Sequence, residues 1–239
     1  GSIEGSSGSA VSFQKRYEKR LKEVGKRIED MGFRVNYEAP IGIPHQKIKE
    51  MSEKNDDDLI LIGSRGESRI QSILLGSTVS NVVRLSKIPV LVERVELANE
   101  KAKNSNLRGY ENKLRSLLLA TDFSKNSKEA EKVALKLASN SDEIHIITVA
   151  ERQRQGEEEK LKSLKDKFKK ICDNVNVRVE EGIASKNINN VADEENVSLI
   201  IMGKRGKGGV RELLLGSTEE SVARRSNKPV LLIPPKEKN

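Results

Sequence analysis

The sequence predicts an α/β fold built on a doubly wound parallel five-stranded sheet, present as two tandem copies. Three features of the 239 residues carry this reading. Short apolar runs of strand length alternate with longer amphipathic stretches. A glycine-rich segment follows directly on one such run. Both features then recur at an offset of 140 residues, so that Gly63 falls on Gly203, Gly66 on Gly206, and Gly76-Ser77-Thr78 on Gly216-Ser217-Thr218. Residues 57–93 set against 197–233 share 16 identities in 37 positions without a gap. A repeat of that length is a duplicated domain rather than a short-period solenoid. The register holds upstream, where Gly42-Ile43 meets Gly182-Ile183 and Val35 meets Val175.

The second copy supplies the elements in order. Leu117 to Ala120 is strand one, and Ser127 to Ala138 is a helix with Ala130, Val133, Ala134 and Leu137 on one face. Ile144 to Val149 is strand two. Glu157 to Ile171 is a helix with Leu161, Leu164 and Phe168 inward, and Val175 to Val179 is strand three. A helix near Lys186 to Glu194 leads to strand four at Ser198 to Met202. The glycine loop then enters a helix from Ser217 to Arg225, and Val230 to Ile233 is strand five. Five strands with interposed helices imply a parallel sheet covered on both faces, with ligands at the carboxyl ends of the strands.

In the first copy the offset places residue 1 opposite residue 141, beyond strand one and its helix. Residues 4–9, where strand two belongs, are Glu-Gly-Ser-Ser-Gly-Ser, which reads as linker. This copy is therefore expected to keep a helix from Val11 to Met31, strand three at Arg34 to Tyr37, and the elements through Val92, and to lack strands one and two as printed. In a sheet of order 3-2-1-4-5 that loss exposes edges that ought to be paired. The opening Gly-Ser without an initiator Met fits a truncated chain or a cloning scar. The expected organisation is an incomplete first domain over 1–95 with linker-like residues 1–10, a polar connector over 96–114, and a complete second domain over 115–235.

Composition narrows the function classes. Lys and Arg number 44 against 36 Asp and Glu, a formal charge of +8, but tryptophan is absent and aromatics are 3%. That leaves no obvious base-stacking platform, so a nucleic-acid partner is not expected. No apolar run reaches the roughly 18 residues of a membrane helix, and a cytoplasmic setting is expected. Cys172 is the one cysteine and cannot form an internal disulfide; it reads as small core filler. With only two histidines no structural zinc site is expected. His145 alternates with apolar residues and reads as a packed or edge histidine. There is no Ser-His-Asp set, no HExxH and no carboxylate pair suited to hydrolysis.

The chemistry is expected in the twice-used pattern Gly, two residues, Gly, nine residues, Gly-Ser-Thr. Glycine after a parallel strand lets backbone amides approach an anion. Ser217 and Thr218 then open a helix, whose free amides and dipole favour phosphate, and Arg205, matched by Arg65, adds a cation with bidentate reach. An ordinary strand-to-helix loop with a Ser or Thr cap is the alternative for a single copy; duplication with the spacing intact favours phosphate. Lys204 and Lys207 stand where the first copy has Ser64 and Glu67, so the second loop is the more cationic and is expected to hold a polyphosphate better if these groups point inward. No Walker A arrangement is present, and Arg211 stands where a Rossmann fingerprint needs its third small residue.

In Leu118-Leu119-Ala120-Thr121-Asp122-Phe123-Ser124, Ile200-Ile201-Met202-Gly203-Lys204-Arg205-Gly206, Leu214-Leu215-Gly216-Ser217-Thr218 and Lys228-Pro229-Val230-Leu231-Leu232, the sequence resembles the universal stress protein family (UspA-like), in particular tandem-domain members of its ATP-binding branch. The resemblance covers nearly all of residues 115–235 and the later part of the first copy. It implies an adenine nucleotide alpha hydrolase-like fold and a site for ATP or AMP, with or without Mg²⁺. Asp122, with Ala120 and Thr121, would face the adenine and ribose, and Val149 would hold the base through its backbone. Met202 and Gly203 would line the floor, while Arg205 and Gly206 would border ribose and phosphates. Gly216, Ser217, Thr218 and Glu219 would wrap the phosphate chain. In the first copy Gly63, Arg65, Gly66, Gly76, Ser77 and Thr78 match the phosphate half alone. Read without the family, Asp122 caps the next helix, and the two roles can coexist. The resemblance also implies that the final strands, each opened by Pro89 or Pro229, pair across a pseudo-twofold and make the chain like a homodimer of single domains.

The expected function is a nucleotide-sensing stress-response protein, a binding and regulatory module. The alternatives are slow ATP hydrolysis or autophosphorylation, with Ser217 or Thr218 as acceptors, and a nucleotide-free scaffold. No base to activate water is recognisable, so any turnover is expected to be slow.

Overall fold

The computed structural model describes residues 5–64, 75–93, 113–150, 156–204 and 217–236. It divides into two compact units, Gly1–Met51 and Ser52–Asn239.

In the first unit α1 runs over Gly5–Glu29 and α2 opens at Pro44, ending in the second unit at Lys54. Helix α1 begins at Gly5, so residues 5–10 of the expected linker are helical; once a helix is nucleated each added residue gains a backbone hydrogen bond. It stops where Gly32, at φ +91°, takes the left-handed conformation that glycine accepts without penalty. The strand expected at Arg34 to Tyr37 does not form. These residues lie along α1 instead: a Cβ on Gly25 would stand 3.4 Å from the Tyr37 ring and 3.5 Å from Val35. In the second copy strand three is held only by the ladder to strand two, and residues 34–37 have no such ladder.

The second unit is an α/β layer structure around one sheet. Its elements are β1 (Ile60–Gly63), α3 (Ser77–Leu85), β2 (Val90–Glu93), β3 (Ser116–Ala120), α4 (Ser127–Ala138), β4 (Glu143–Ala150), α5 (Glu157–Phe168), β5 (Asn174–Glu181), α6 (Ala184–Glu194), β6 (Leu199–Gly203), α7 (Ser217–Arg225) and β7 (Val230–Ile233). The strand order among the described residues is β1-β2-β7-β6-β3-β4-β5. Strands β3 to β7 are strands one to five of the second copy, and they follow the order 3-2-1-4-5 with every pairing between them parallel. The core is a sheet filling of Leu117, Leu119, Ile144, Ile146 and Ile201 under the Ala130, Ala134 and Ala138 face of α4 and the Leu161, Leu164 and Phe168 face of α5. Small alanines on α4 let that helix lie close on the sheet. Cys172 is buried in the same cluster, as expected of a small apolar filler.

The duplication is visible in backbone detail. Helices α2 and α6, α3 and α7, and strands β2 and β7 have the same bounds once the offset of 140 is applied. Gly42 (φ +149°) and Gly182 (φ +108°) are equivalent, as are Asp56 (φ +54°) and Asn196 (φ +46°). Left-handed positions are costly for most residues, and both copies fill them with glycine or with Asp and Asn, which tolerate them.

The final strands β2 and β7 pair antiparallel, with Val90 opposite Leu232, Leu91 opposite Leu231 and Val92 opposite Val230. Exchanging each residue for its repeat equivalent maps this register onto itself, so a local twofold passes through the Leu91–Leu231 pair. Val90, Val92, Val230 and Leu232 are all buried there, each burial stabilising by about 1.5–3 kcal/mol. Both prolines sit at strand starts and give only a carbonyl, which accepts from Ile60 N–H at 2.9 Å for Pro89 and from Ile200 N–H at 3.0 Å for Pro229.

The copies differ at strand four. Strand β6 lies between β3 and β7, whereas β1 has β2 as its one neighbour among the described residues. Leu61 is accordingly 66% exposed, while its equivalent Ile201 is 0% exposed. Among the described residues no helix is long and apolar enough to cross a membrane.

Candidate functional site

Strand connections decide where a crevice opens. From β3 the chain crosses through α4 to β4 on one side, and from β6 it crosses through α7 to β7 on the other. Between β3 and β6 the two connections diverge, which makes this the topological switch point, the place where open α/β sheets bind ligands beyond the carboxyl ends of their strands. The register places Ala120 beside Met202 at that point, with Ile147 of β4 on the other side of Ala120. Thr121 N–H still bonds Ile147 carbonyl at 3.0 Å, so β3 remains anchored to β4 one residue past its end. Val149 lies further along β4, opposite Glu180 and beyond the end of β3.

The turn from β3 into α4 is built by side chains. Asp122 Oδ1 accepts from Ser124 N–H at 2.9 Å, an Asx turn. Thr121 Oγ1 accepts from Phe123 N–H at 3.1 Å. Ser124 Oγ accepts from Ser127 N–H at 3.2 Å, and Ser127 Oγ donates to Ser124 carbonyl at 3.0 Å. Asp122 is thus a turn-former rather than the cap of α4, because the hydroxyl of Ser124 takes the helix amide. Phe123 has φ +56° and packs its ring against the core cluster. A left-handed phenylalanine costs of the order of 1–3 kcal/mol, and the hydrogen bonds on both sides of it hold it there.

Glu131 enters this turn without having been singled out in the sequence. Thr121 hydroxyl donates to Glu131 Oε1 at 2.8 Å and lies 3.2 Å from Ser127 Oγ. Burial pushes the Glu131 carboxyl above its ordinary range and nearby Asp122 adds to this, while the Thr121 hydrogen bond, Lys167 and Lys128 pull it down. Ser127 and Glu131 stand four residues apart on α4, the spacing that puts two side chains on one helix face. That spacing was the available signal.

Gly203 ends β6. A Cβ there would stand 2.9 Å from Asn126 carbonyl oxygen, 3.1 Å from Ser127 Cα and 3.2 Å from Asn126 carbonyl carbon. Glycine is required here by the backbone that opens α4, a packing reason found only in three dimensions.

Lys204 departs from expectation. It is 3% exposed, and its Nζ donates to Ser86 carbonyl at 2.6 Å. Ser86 is the C-cap of α3, so this cation sits at the negative end of a first-copy helix instead of in the polyphosphate path. The repeat aligns Lys204 with Ser64, and both backbone amides make the same bond, to Ile233 and Glu93 carbonyls at 2.7 and 2.8 Å. Side-chain identity alone turns one of them into a strut between the copies.

At the N-terminus of α7, Thr218 is half-buried and Glu219 is 4% exposed, where the first copy has Val79 at 5%. Glu219 and Glu220 lie in the first turn, where the helix dipole favours a carboxylate. In the first copy Gly63 ends β1, and Gly76 is the N-cap of α3 with φ −56° and no side-chain cap. Ser77 is exposed there and Thr78 half-buried. Arg65, Gly66, Glu67, Arg205, Gly206, Lys207 and Gly216 lie outside the described residues, as does the side chain of Ser217. The structure therefore brings together Ala120, Thr121, Asp122, Met202 and Gly203, with Val149 one strand over. His145 is buried beside Glu143 and Glu195, away from this end of the sheet.

Comparison with known proteins fits this arrangement. The chain is 40% identical over 73 residues to universal stress protein MJ0577 of Methanocaldococcus jannaschii, covering 30% of this chain and 45% of that protein. It is 39% identical over 72 residues to universal stress protein MJ0531 of the same organism, covering 30% of this chain and 42% of that protein. The matches thus span less than half the length of these curated relatives. The crystal structure of a universal stress protein from Archaeoglobus fulgidus superposes with a TM-score of 0.77 at 30% identity, covering 98% of this chain and 84% of that one. The model of the universal stress protein family matches residues 4–94 and 113–234. With both copies matched and the sheet order and repeat register in agreement, the chain belongs to the universal stress protein family.

Proposed function

We propose that the second copy binds an adenine nucleotide, ATP or AMP, across the carboxyl ends of β3, β4 and β6, and that the chain acts as a stress-response sensor or regulatory module. The observation that carries this reading is the switch point in strand order between β3 and β6, with Ala120 and Met202 side by side and Asp122 held in an Asx turn just past the end of β3. In this reading Asp122 accepts from ribose hydroxyls, and Val149 backbone meets the base. Met202 and Gly203 form the floor. Arg205, Gly206, Gly216, Ser217, Thr218 and Glu219 surround the phosphates. Any Mg²⁺ would accompany the nucleotide, on its phosphates.

The first copy contributes Gly63, Arg65, Gly66, Gly76, Ser77 and Thr78, the phosphate half of a site. We assign domains to residues 1–95 and 115–235 with a connector over 96–114, joined as a pseudo-dimer through the final strands and residing in the cytoplasm. The antiparallel β2–β7 register supports the pseudo-dimer. Titration calorimetry with ATP, AMP and GTP, together with mass spectrometry of the denatured purified protein, tests the assignment. One adenine nucleotide per chain, weakened by Asp122→Ala, is the expected result. Absence of adenine-nucleotide binding at millimolar concentration overturns it.

A further inference from the structure

We infer that Glu131 is a positioning residue for the nucleotide site, holding the Thr121–Ser124 turn through Thr121 and so setting where Asp122 stands. The inference rests on the nucleotide-binding reading for its functional half, and on the geometry of α4 and its N-terminal turn for its structural half.

Proton bookkeeping in this cluster leaves Glu131 a defined task. Thr121 has one hydroxyl proton and two acceptors within reach, Glu131 Oε1 at 2.8 Å and Ser127 Oγ at 3.2 Å. The shorter bond, to the Glu131 carboxyl oxygen, wins. Ser127 has its own proton committed to Ser124 carbonyl. With the hydroxyl proton turned to Glu131, the lone pairs of Thr121 Oγ1 face the amide of Phe123, which they accept at 3.1 Å. That bond clamps a residue in the left-handed region, φ +56°, immediately between Asp122 and the Ser124 amide that Asp122 binds. Thr121 is 5% exposed, so water is a poor substitute partner. Removing the carboxylate frees the hydroxyl to turn towards Ser127, and the lone pair that held Phe123 N–H turns with it. The charged groups facing Glu131 are Lys128 on its own helix, Lys167 on α5 and Asp122 across the turn.

Two variants separate positioning from mere packing. Glu131→Ala removes the acceptor, and Glu131→Gln keeps an amide that can pair with the hydroxyl. In nucleotide-free protein, amide hydrogen exchange at Phe123 and Ser124 is expected to speed up about tenfold in Glu131→Ala and to return close to wild type in Glu131→Gln. Adenosine, which lacks phosphates, is the binding probe, with AMP beside it. Glu131→Ala is expected to weaken both by the same factor, about tenfold, and to have no further effect in an Asp122→Ala background. Unchanged exchange at both amides overturns the inference. So does an equal affinity loss with and without Asp122, which would mean that Glu131 acts elsewhere. If wild type binds neither probe, the nucleotide reading fails, and the exchange data still decide whether Glu131 holds the turn.

Discussion

Gly203 separates two accounts of why a glycine stands at the end of β6: room for a ligand, or room for a neighbouring backbone. Gly203→Ala adds one carbon, which would lie 2.9 Å from Asn126 carbonyl oxygen, 3.1 Å from Ser127 Cα and 3.2 Å from Asn126 carbonyl carbon. All three are backbone atoms at the start of α4, and none can swing away as a side-chain tip could. The helix must shift off β6 against a face whose alanines, Ala130 and Ala134, are both 0% exposed. Overpacking of this kind costs about 1–3 kcal/mol. For a domain of 150–250 residues each kcal/mol moves Tm by about 2–4 °C, so the expected fall is roughly 2–12 °C. Gly76→Ala is the control, since among the described residues its added carbon meets only Val79 Cγ2 at 3.9 Å and its φ of −56° suits any residue. That change should stay within about 1 kcal/mol of wild type. Thermal unfolding followed by far-ultraviolet circular dichroism reads both. A Gly203→Ala protein with an unchanged midpoint would refute the packing argument, and combined with lost nucleotide affinity it would return the glycine to a ligand role.

Further outcomes follow from particular contacts. Lys204→Met should destabilise by about 1.5–3 kcal/mol by removing the charged bond to Ser86 carbonyl, with nucleotide affinity within about threefold of wild type; urea denaturation and calorimetry check the pair. Ile201→Ala should cost about 2–5 kcal/mol, whereas Leu61→Ala at the equivalent position, 66% exposed, should cost about 0.5 kcal/mol or less. Glu131 carries a raised carboxyl value in the folded chain, chiefly from burial. The folded state therefore binds the proton more tightly than the unfolded state. The stability this gives is present at low pH and is lost as pH rises from the ordinary carboxylate value through the raised one. Glu131→Gln should accordingly gain stability relative to wild type across that window, read as the difference in urea midpoint against pH, and a constant difference would contradict the assignment.

The sheet of the second copy was legible because it is written redundantly. Runs such as Leu199-Ile200-Ile201-Met202 have strand length and stand between amphipathic helical stretches, which together mark buried parallel strands, and the helix Ser127–Ala138 shows in the spacing of small apolar residues on one face. The glycine pattern and Asp122 drew attention to the strand ends, where the structure gives Gly203 a packing role against the start of α4 and Asp122 an Asx turn. The segment at Arg34 to Tyr37 misled for a converse reason: the repeat register sets it opposite strand three, but a strand exists only where a ladder partner is in reach, and these residues lie along α1. Lys204 misled because a cation in a glycine loop suggests phosphate, and no local pattern reveals that a helix C-terminus from the other copy lies within 2.6 Å.

The sequence by itself therefore determined the elements of the second copy and their duplication, since hydrophobic period, glycine placement and repeat register are all local properties of the chain. The tertiary structure alone decided which side chains spend their polar atoms on one another. Glu131 on Thr121, Lys204 on Ser86 and the backbone that excludes a Cβ at Gly203 each depend on residues brought together by the closing of the sheet. Burial then makes each of those partnerships obligatory, because a polar group withdrawn from water must find its hydrogen bond in whatever the fold has placed beside it.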